Sequence, residues 1–375
     1  VLNVNGSYLK TGDLRIGGFA SSDRMRAQAL SQVGLPQDDD DHGHGDHDHD
    51  HHEPVDFAAN AALRGRLPNT AAQTWTGGAG ASISAGCCTS MSGVATTNGQ
   101  AYWWEFAANG QLGDGVSFPT PRRPLNTLPQ LFGIRQIAIG EGYLVVRTNT
   151  GSILSWAPTE YFGGTNTYGT ANGRLGDASN AYFTLPQVVS GVSSVIQTAT
   201  GAMHTVALSP DGRVFAWGRN DFGQLGDATN INRAYPSGVG GLAGIAQVAA
   251  GGTFSAARGA NGSVWTWGAN YDDGQPFFFG DAARARQFGN LSSVVDIALG
   301  DRHGLALTSD GVVWAWGWNQ FGQIGDGTTT FRDVPVRVTG LTNVSHIAAG
   351  YGHSLAIKSD GSIWGWGRND AGQLG

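Results

Sequence analysis

A unit of about fifty residues recurs along this chain, and that recurrence limits the fold more than any other feature. Residues 198–227 read TATGAMHTVALSPDGRVFAWGRNDFGQLGD, and residues 297–326 read IALGDRHGLALTSDGVVWAWGWNQFGQIGD. Residues 347–375, IAAGYGHSLAIKSDGSIWGWGRNDAGQLG, and residues 248–268, VAAGGTFSAARGANGSVWTWG, are further copies. The tryptophan of the Trp-Gly pair falls at Trp217, Trp267, Trp316 and Trp366, at steps of 50, 49 and 50 residues. Two degraded copies precede these, 83–114 ending in NGQLGD and 137–177 ending in NGRLGD, which makes six units. A short unit that cannot hide its apolar surface alone must stack on its neighbours.

Each unit reads as strands. The run Ile347, Ala348, Ala349, Gly350 is a candidate inner strand, because strands converging on an axis leave room only for small residues. A second run, Ser354 to Ile357, leads into Asp360-Gly361. The same place holds Asp211-Gly212, Asn261-Gly262 and Asp310-Gly311. These dipeptides favour tight hairpins, since a type I′ turn needs positive φ at both central residues. In the next strand Phe215/Trp217, Trp265/Trp267, Trp314/Trp316 and Trp364/Trp366 share one face, and Ala216, Thr266, Ala315 and Gly365 the other. A sheet that is bulky on one face and slim on the other can stack on a copy of itself. Arranged radially, such sheets form a propeller. The NxxGQLGDG segment reads as the loop leading to the next blade. Composition agrees: glycine is 59 of 375 residues and charged residues are 14%, which suits turns and strands rather than helices.

The string G-x-x-H-S/T-x-A-L-x-x-D-G-x-V-W-x-W-G-x-N-x-x-G-Q-L-G-D-G resembles the regulator of chromosome condensation repeat, in a bacterial-type form. The resemblance covers roughly residues 75–375 and is strongest in the last four units. It implies an all-β fold, a β-propeller of six to seven four-stranded blades, here with an irregular N-terminal extension. Relatives of this type act as guanine-nucleotide exchange factors for the GTPase Ran, with chromatin binding, or as secreted inhibitors of β-lactamases. The expected organisation is an N-terminal segment at 1–37 that is a candidate for completing a blade, a His/Asp-rich tract at 38–54, a linker at 55–74, and propeller repeats at 75–375.

Charge is concentrated in one place. Residues 38–53, DDDDHGHGDHDHDHHE, hold eight acids and six of the ten histidines; removing them leaves 21 acids against 22 basic residues. The near-neutral body argues against a nucleic-acid binder, which needs a basic stripe. No apolar run approaches the ~20 residues that span a bilayer. Within the tract His47, His49 and His51 alternate with Asp46, Asp48 and Asp50, and His42, His44 and His52 extend the set. Imidazole with carboxylate suits Zn, Cu or Ni. The competing readings are a solvated spacer whose histidines titrate near pH 6.5, and an engineered run. An EF-hand is excluded, because His51 and Phe57 stand where the loop needs Gly and Glu.

Other residues invite two readings each. His204, His303 and His353 recur three positions after the repeat glycine, as an axial set or, by preference, as buried hydrogen-bonded framework; Tyr143 and Phe254 replace them in sister units. Cys87-Cys88 is a thiol pair for Cu(I) or Zn, or two small buried residues. Asp114, Asp177, Asp227, Asp281 and Asp326 recur once per unit and read as turn caps. Two units carry extra loop residues rich in aromatics: Tyr161, Phe162 and Tyr168 in one, Phe277, Phe278 and Phe279 in the other. Aromatic loops on a rigid scaffold suit a protein partner. No G-x-S-x-G, H-E-x-x-H or Walker loop is present, so the expectation is a non-enzymatic interaction scaffold. The start at Val1 without a signal peptide reads as a processed chain or a fragment, and the His/Asp tract suggests export to the periplasm, cell surface or exterior.

Overall fold

The computed structural model describes residues 82–85, 92–95, 99–104, 131, 133–156, 172–178, 185–272, 275–278, 283–370 and 372–374. Among these no helix occurs, and the strands form six antiparallel sheets in chain order. The first contains β1 (Ser82–Ala85), β2 (Ser92–Ala95) and β3 (Ala101–Trp104). The second contains β4 (Ile134–Gly140), β5 (Tyr143–Thr148), β6 (Ile153–Trp156) and β7 (Gln187–Val188). The third contains β8 (Gln197–Thr200), β9 (His204–Leu208), β10 (Val214–Gly218) and β11 (Arg233–Gly238). In the fourth, β12 (Ile245–Ala250) and β13 (Phe254–Gly259) precede a long β14 (Val264–Asp272), which pairs both β15 (Gln275–Phe278) and β16 (Arg286–Gln287). The fifth contains β17 (Val294–Leu299), β18 (His303–Thr308), β19 (Val313–Gly317) and β20 (Arg332–Arg337), and the sixth β21 (Val344–Ala349), β22 (His353–Lys358) and β23 (Ile363–Gly367). The six units read from the sequence are these six sheets, the blades of an all-β propeller.

The blades stack bulky face on slim face. Trp217 of β10 is fully buried against Ala138, Val145, Ile153 and Leu175 of the preceding blade. On the other side of the same blade, Ala199, Val206, Leu208 and Ala216 receive Trp267 of the next. The pattern repeats with Trp316 against the fourth blade and Trp366 against the fifth. Each such indole removes about 150–250 Å² from water, so these side chains dominate the stacking energy. Gly226 lies beneath Trp267 with φ of 68°, and a Cβ there would stand 2.8 Å from the indole Cδ1. Only glycine satisfies both the left-handed backbone and the contact.

The first strands of successive blades are joined near the axis by a side chain that imitates a peptide group. Gln197 Nε2 donates to the Val248 carbonyl (3.1 Å), and its Oε1 accepts from the Val248 amide (3.0 Å). Gln136 makes the same double bond to Thr198, and Gln247 to Ile297. Asp296 and His346 occupy this place in the last two blades.

One expectation requires correction. The segment from Asn220 to Asp227 does not lead to the next blade's first strand; it connects β10 to β11, the outer strand of its own blade. On the way it crosses to the neighbour, where the Gln224 carbonyl accepts from the Trp267 indole N–H (2.9 Å) and from Ser255 Oγ (2.9 Å). The loop therefore serves as a clasp between blades. Its carboxylate is a turn cap, as read: Asp227 Oδ1 accepts from the Thr229 amide (3.0 Å) and hydroxyl (2.6 Å), and Oδ2 from Arg233 Nε (2.8 Å). Asp326 repeats this with Thr328 and Arg332.

Candidate functional site

Antiparallel blades place their turns at two ends. The turn between the first and second strands and the long loop from third to fourth strand lie at one end; the tight hairpins and the connectors between blades lie at the other. At the first end, the loop end, the inner turns are tied to each other around the axis by main-chain bonds. The Glu141 amide donates to Ala202 (2.8 Å), Ala202 to Gly252 (3.2 Å), Gly252 to Asp301 (2.9 Å) and Asp301 to Gly350 (3.3 Å). A second set of main-chain bonds fixes the residue that follows three of the four Trp-Gly pairs. Arg219 donates to Met203, Trp318 to Arg302 and Arg368 to Gly352.

On this frame the positions that differ among copies carry a strip of arginines and aromatic rings. The Arg302 guanidinium lies 5.4 Å from the centre of the Trp318 ring, and Trp318 meets Phe321 edge to face at 5.1 Å. Arg368 lies between Phe321 (5.0 Å) and Tyr351 (5.6 Å), so the strip runs unbroken from the fifth blade to the sixth. Phe321 rests on Gly352, where a Cβ would stand 2.8 Å from its Cδ2. In the third blade Arg219 covers Phe222 at 5.2 Å. Each guanidinium is held flat by a carboxylate: Arg219 by Asp221 (2.6 Å), Arg302 by Asp301 (3.2 Å) and Arg368 by Asp370 (2.6 Å). Exposed pairs of this kind add about 0–1 kcal/mol, so their effect is orientation rather than stability. Glu141 shares this end; burial raises its carboxyl above the usual range, Asp301 adds to the rise, and Arg174 and Arg219 oppose it.

The loops named from the sequence leave the propeller at the same end. β14 runs beyond its blade and folds back as β15, pairing Ala269 with Phe278, Asn270 with Phe277 and Tyr271 with Pro276. The stretch read as a loop is thus in part a projecting β-hairpin. Phe277 and Phe278 stand on it, although their side chains are outside the described residues, as is Phe279. Tyr161, Phe162 and Tyr168 also lie outside the described residues, in the connection from β6 to β7. The metal-ligand candidates His42, His44, His47, His49, His51, His52, Asp46, Asp48 and Asp50, and the Cys87-Cys88 pair, fall outside them too. Among the described residues no group of three His, Cys, Asp or Glu is placed to hold a metal ion.

The repeat histidines are framework. Ser255 Oγ donates to the Gln224 carbonyl, so it accepts from the Nε2–H of His204 (2.8 Å). His303, Ser354 and Gln323 repeat the relay one blade pair further on. Both imidazoles are fully buried, and burial drives each pKa down to about 3. A His–Ser pair of this kind suggests a base and a nucleophile. Here the hydroxyl proton is committed to a main-chain carbonyl, and both side chains are closed off from solvent.

Arg219, Arg302, Trp318, Phe321, Tyr351 and Arg368 were not singled out by the repeat. The available signal was their variability: within a unit whose Gly, Trp, Asn and Gln are committed to packing, the place after Trp-Gly holds Arg219, Ala269, Trp318 and Arg368.

Comparison with known proteins fits this architecture. Residues 161–375, more than half of the chain, match the family described as RCC1-like domain. Over 134 residues the chain is 32% identical to the human E3 ubiquitin-protein ligase HERC2, a match covering 34% of this chain and 2% of HERC2. It is 29% identical over 130 residues to the ultraviolet-B receptor UVR8 of Arabidopsis thaliana, covering 33% of this chain and 26% of UVR8. The chain thus spans a small part of the curated relatives it matches. The solved structure of Prp20p from Saccharomyces cerevisiae is similar with a TM-score of 0.64 at 20% identity, over 78% of this chain and 72% of that one. By its repeat, its blades and the matched domain, the chain belongs to the RCC1-like domain family.

Proposed function

We propose that this chain is a protein-interaction module that uses the loop end of its propeller as the docking face. One observation carries the reading: positions that vary within the repeat converge there as the Arg302–Trp318–Phe321–Arg368–Tyr351 strip, at the same end as the hairpin of β14 and β15. Arginine and large aromatics, pre-ordered on a rigid frame, are the residues that dominate binding energy at interfaces. The fold relative Prp20p is described by its binding to Gsp1p and histones. Because arginines and carboxylates alternate on this face, a mixed-charge protein surface suits it better than a polyanion. The role is non-enzymatic on this reading, since the described strip at the loop end offers orientation and contact.

The test compares proteins retained by the full chain with those retained by an Arg302→Glu/Arg368→Glu variant and by a control altered at the opposite end, Asp360→Ser. Partners lost by the first variant and kept by the second support the reading; identical sets reject it. Nucleotide release from a small GTPase, measured with the same three proteins, distinguishes exchange activity from simple docking.

The tract at residues 38–53 supports a second role, transition-metal capture at an exported site, on the alternation of imidazole and carboxylate. Calorimetric titration with Zn²⁺ and Cu²⁺, with and without those residues, decides it: equal heats from both proteins reject the tract as the ligand.

A further inference from the structure

The hairpin end carries a different feature, and it lies at a single proline. Every connector between blades passes beside the hairpin of the blade it enters. At four of five such places a hairpin amide latches onto the connector carbonyl: Asn149 to Gly133 (2.6 Å), Ala260 to Gly244 (2.8 Å), Ser309 to Ser293 (2.9 Å) and Ser359 to Asn343 (2.8 Å). The fifth place pairs residue 210 with Ser194, and residue 210 is proline, which has no N–H. The connector remains anchored on its other side, where the Val195 amide donates to Gly151 (3.0 Å). Hairpin and connector therefore lack this mutual bond, and a cleft of about 380 Å³ lies between them.

The lining of the cleft is chemically mixed. Residues 191–194 form one wall, with the hydroxyls of Ser193 and Ser194. Ser209, Asp211 and Arg213 form the other, and Phe215 contributes a half-buried ring. Sister blades hold Trp265, Trp314 and Trp364 at this place, and in two of them the indole N–H is taken by the hairpin serine, Ser263 (3.2 Å) or Ser362 (3.1 Å). Phe215 has no polar atom and offers only its ring surface. Asp211 and Arg213 form an exposed ion pair at 3.1 Å, so the wall presents acceptor and donor groups without net charge. Asp211 remains ionised across the neutral range, because the Ser209 hydroxyl and the Arg213 amide both donate to it.

These features select the ligand class. β9 and β10 each have a strand on both sides, so there is no free edge here for an extended peptide to join. The lack of net charge removes the drive for an anion. An aromatic surface bordered by hydroxyls, a carboxylate–guanidinium pair and a main-chain carbonyl matches a ring that is apolar on one face and hydroxylated at its edge. We propose that this cleft is a saccharide-binding site, opened by Pro210, in which a neutral pyranose stacks on Phe215 and exchanges hydrogen bonds with Asp211, Arg213 and the Ser194 carbonyl. At the low end of the usual 300–1,000 Å³ range of ligand sites, it has room for one or two sugar rings.

The test is saturation-transfer NMR on the full chain with the methyl pyranosides of glucose, galactose, mannose and N-acetylglucosamine and the β-1,4 disaccharides of glucose and N-acetylglucosamine. The expected result is transfer to ring protons on the apolar face of at least one sugar, with a millimolar Kd. Pro210→Ala restores the latching amide and should weaken binding at least about tenfold, the effect of ~1.4 kcal/mol. Arg213→Ala, a change at an exposed side chain that leaves the fold intact, should weaken it by a similar factor and decides the matter if Pro210→Ala does not fold. Arg368→Ala, at the opposite end, should bind as the unaltered chain does. Absence of transfer from every sugar at ~20 mM, where even millimolar sites are filled, overturns the proposal. So does transfer that is unchanged in both Pro210→Ala and Arg213→Ala, and so does protection of the cleft by a protein partner with no response to sugar.

Discussion

Acidification to pH 4.5 should destabilise this propeller, and His204 and His303 are the reason. Each imidazole gives its Nε2–H to a serine of the next blade and keeps a bare Nδ1 with no acceptor in reach. Protonation would bury a cation with an unpaired N–H, and the pKa falls to about 3, against an ordinary value of 6.5. A folded pKa below the unfolded one means that the neutral form is the stable form. The contribution is therefore fully present above pH 6.5 and is lost as pH falls from 6.5 towards 3. Between pH 7 and pH 4.5 the loss is about 2.5 kcal/mol for each histidine and about 5 kcal/mol for both. Asp296 opposes this. Burial raises its carboxyl to about 6, so taking up a proton over the same interval favours the folded state by up to about 2 kcal/mol. The net loss of about 3 kcal/mol is a large part of the 5–15 kcal/mol typical of a folded domain. The measurement is the guanidinium chloride midpoint at pH 7.0 and 4.5, followed by tryptophan fluorescence. Its control is the chain's own substitution: Phe254 replaces this histidine in the fourth blade, so His204→Phe/His303→Phe should fold and lose most of the acid sensitivity. An equal midpoint shift in the double variant would refute the assignment.

Two further changes probe the contacts between blades. Trp267→Ala should cost about 4–5 kcal/mol, combining a cavity over Gly226 with loss of the indole bond to Gln224, and should show as a lowered thermal midpoint; a cost below ~2 kcal/mol would mean that the neighbouring blade closes over the gap. Gln197→Met keeps the side-chain length but strands the Val248 amide and carbonyl, both beside the axis. The expected cost is about 2–4 kcal/mol, with faster hydrogen exchange at Val248 than at Val206, which lies in the same interface.

Most of the frame was legible because its causes are local and repeated. The Asp-Gly hairpins, the small inner strands and the alternation of Trp217 with Ala216 each determine structure within a few residues, although the hairpin turns are not type I′, since φ is positive at Gly212, Gly262, Gly311 and Gly361 but not at the residue before each. The clasp was not legible in this way. Asn220 to Asp227 contains no strand pattern, and its meaning depends on Trp267 and Ser255, some thirty to forty residues further along and in the next blade. The candidate face was missed for the opposite reason. Repetition draws attention to recurring positions, yet Gly226, His204 and Gln224 recur because they pack or bond, which leaves nothing of them for a partner.

That division suggests where function resides in a repeat fold. Where the pattern holds, most side chains are committed to a neighbouring blade or to their own turn; where it lapses, a side chain or main-chain group is released. Arg302, Trp318 and Arg368 stand at places whose residue changes from blade to blade at the loop end, and Pro210 deletes a latch at the hairpin end. Neither lapse costs the frame much, because each lies outside the tryptophan stack and the axial glutamine bonds that join the blades. The propeller can therefore present unlike chemistry at its two ends. Single substitutions should separate the two: Arg368→Glu should alter partner capture and leave the cleft unchanged, and Pro210→Ala should do the reverse. If either change affected both ends, the blades would be transmitting strain, and the independence inferred from their packing would be wrong.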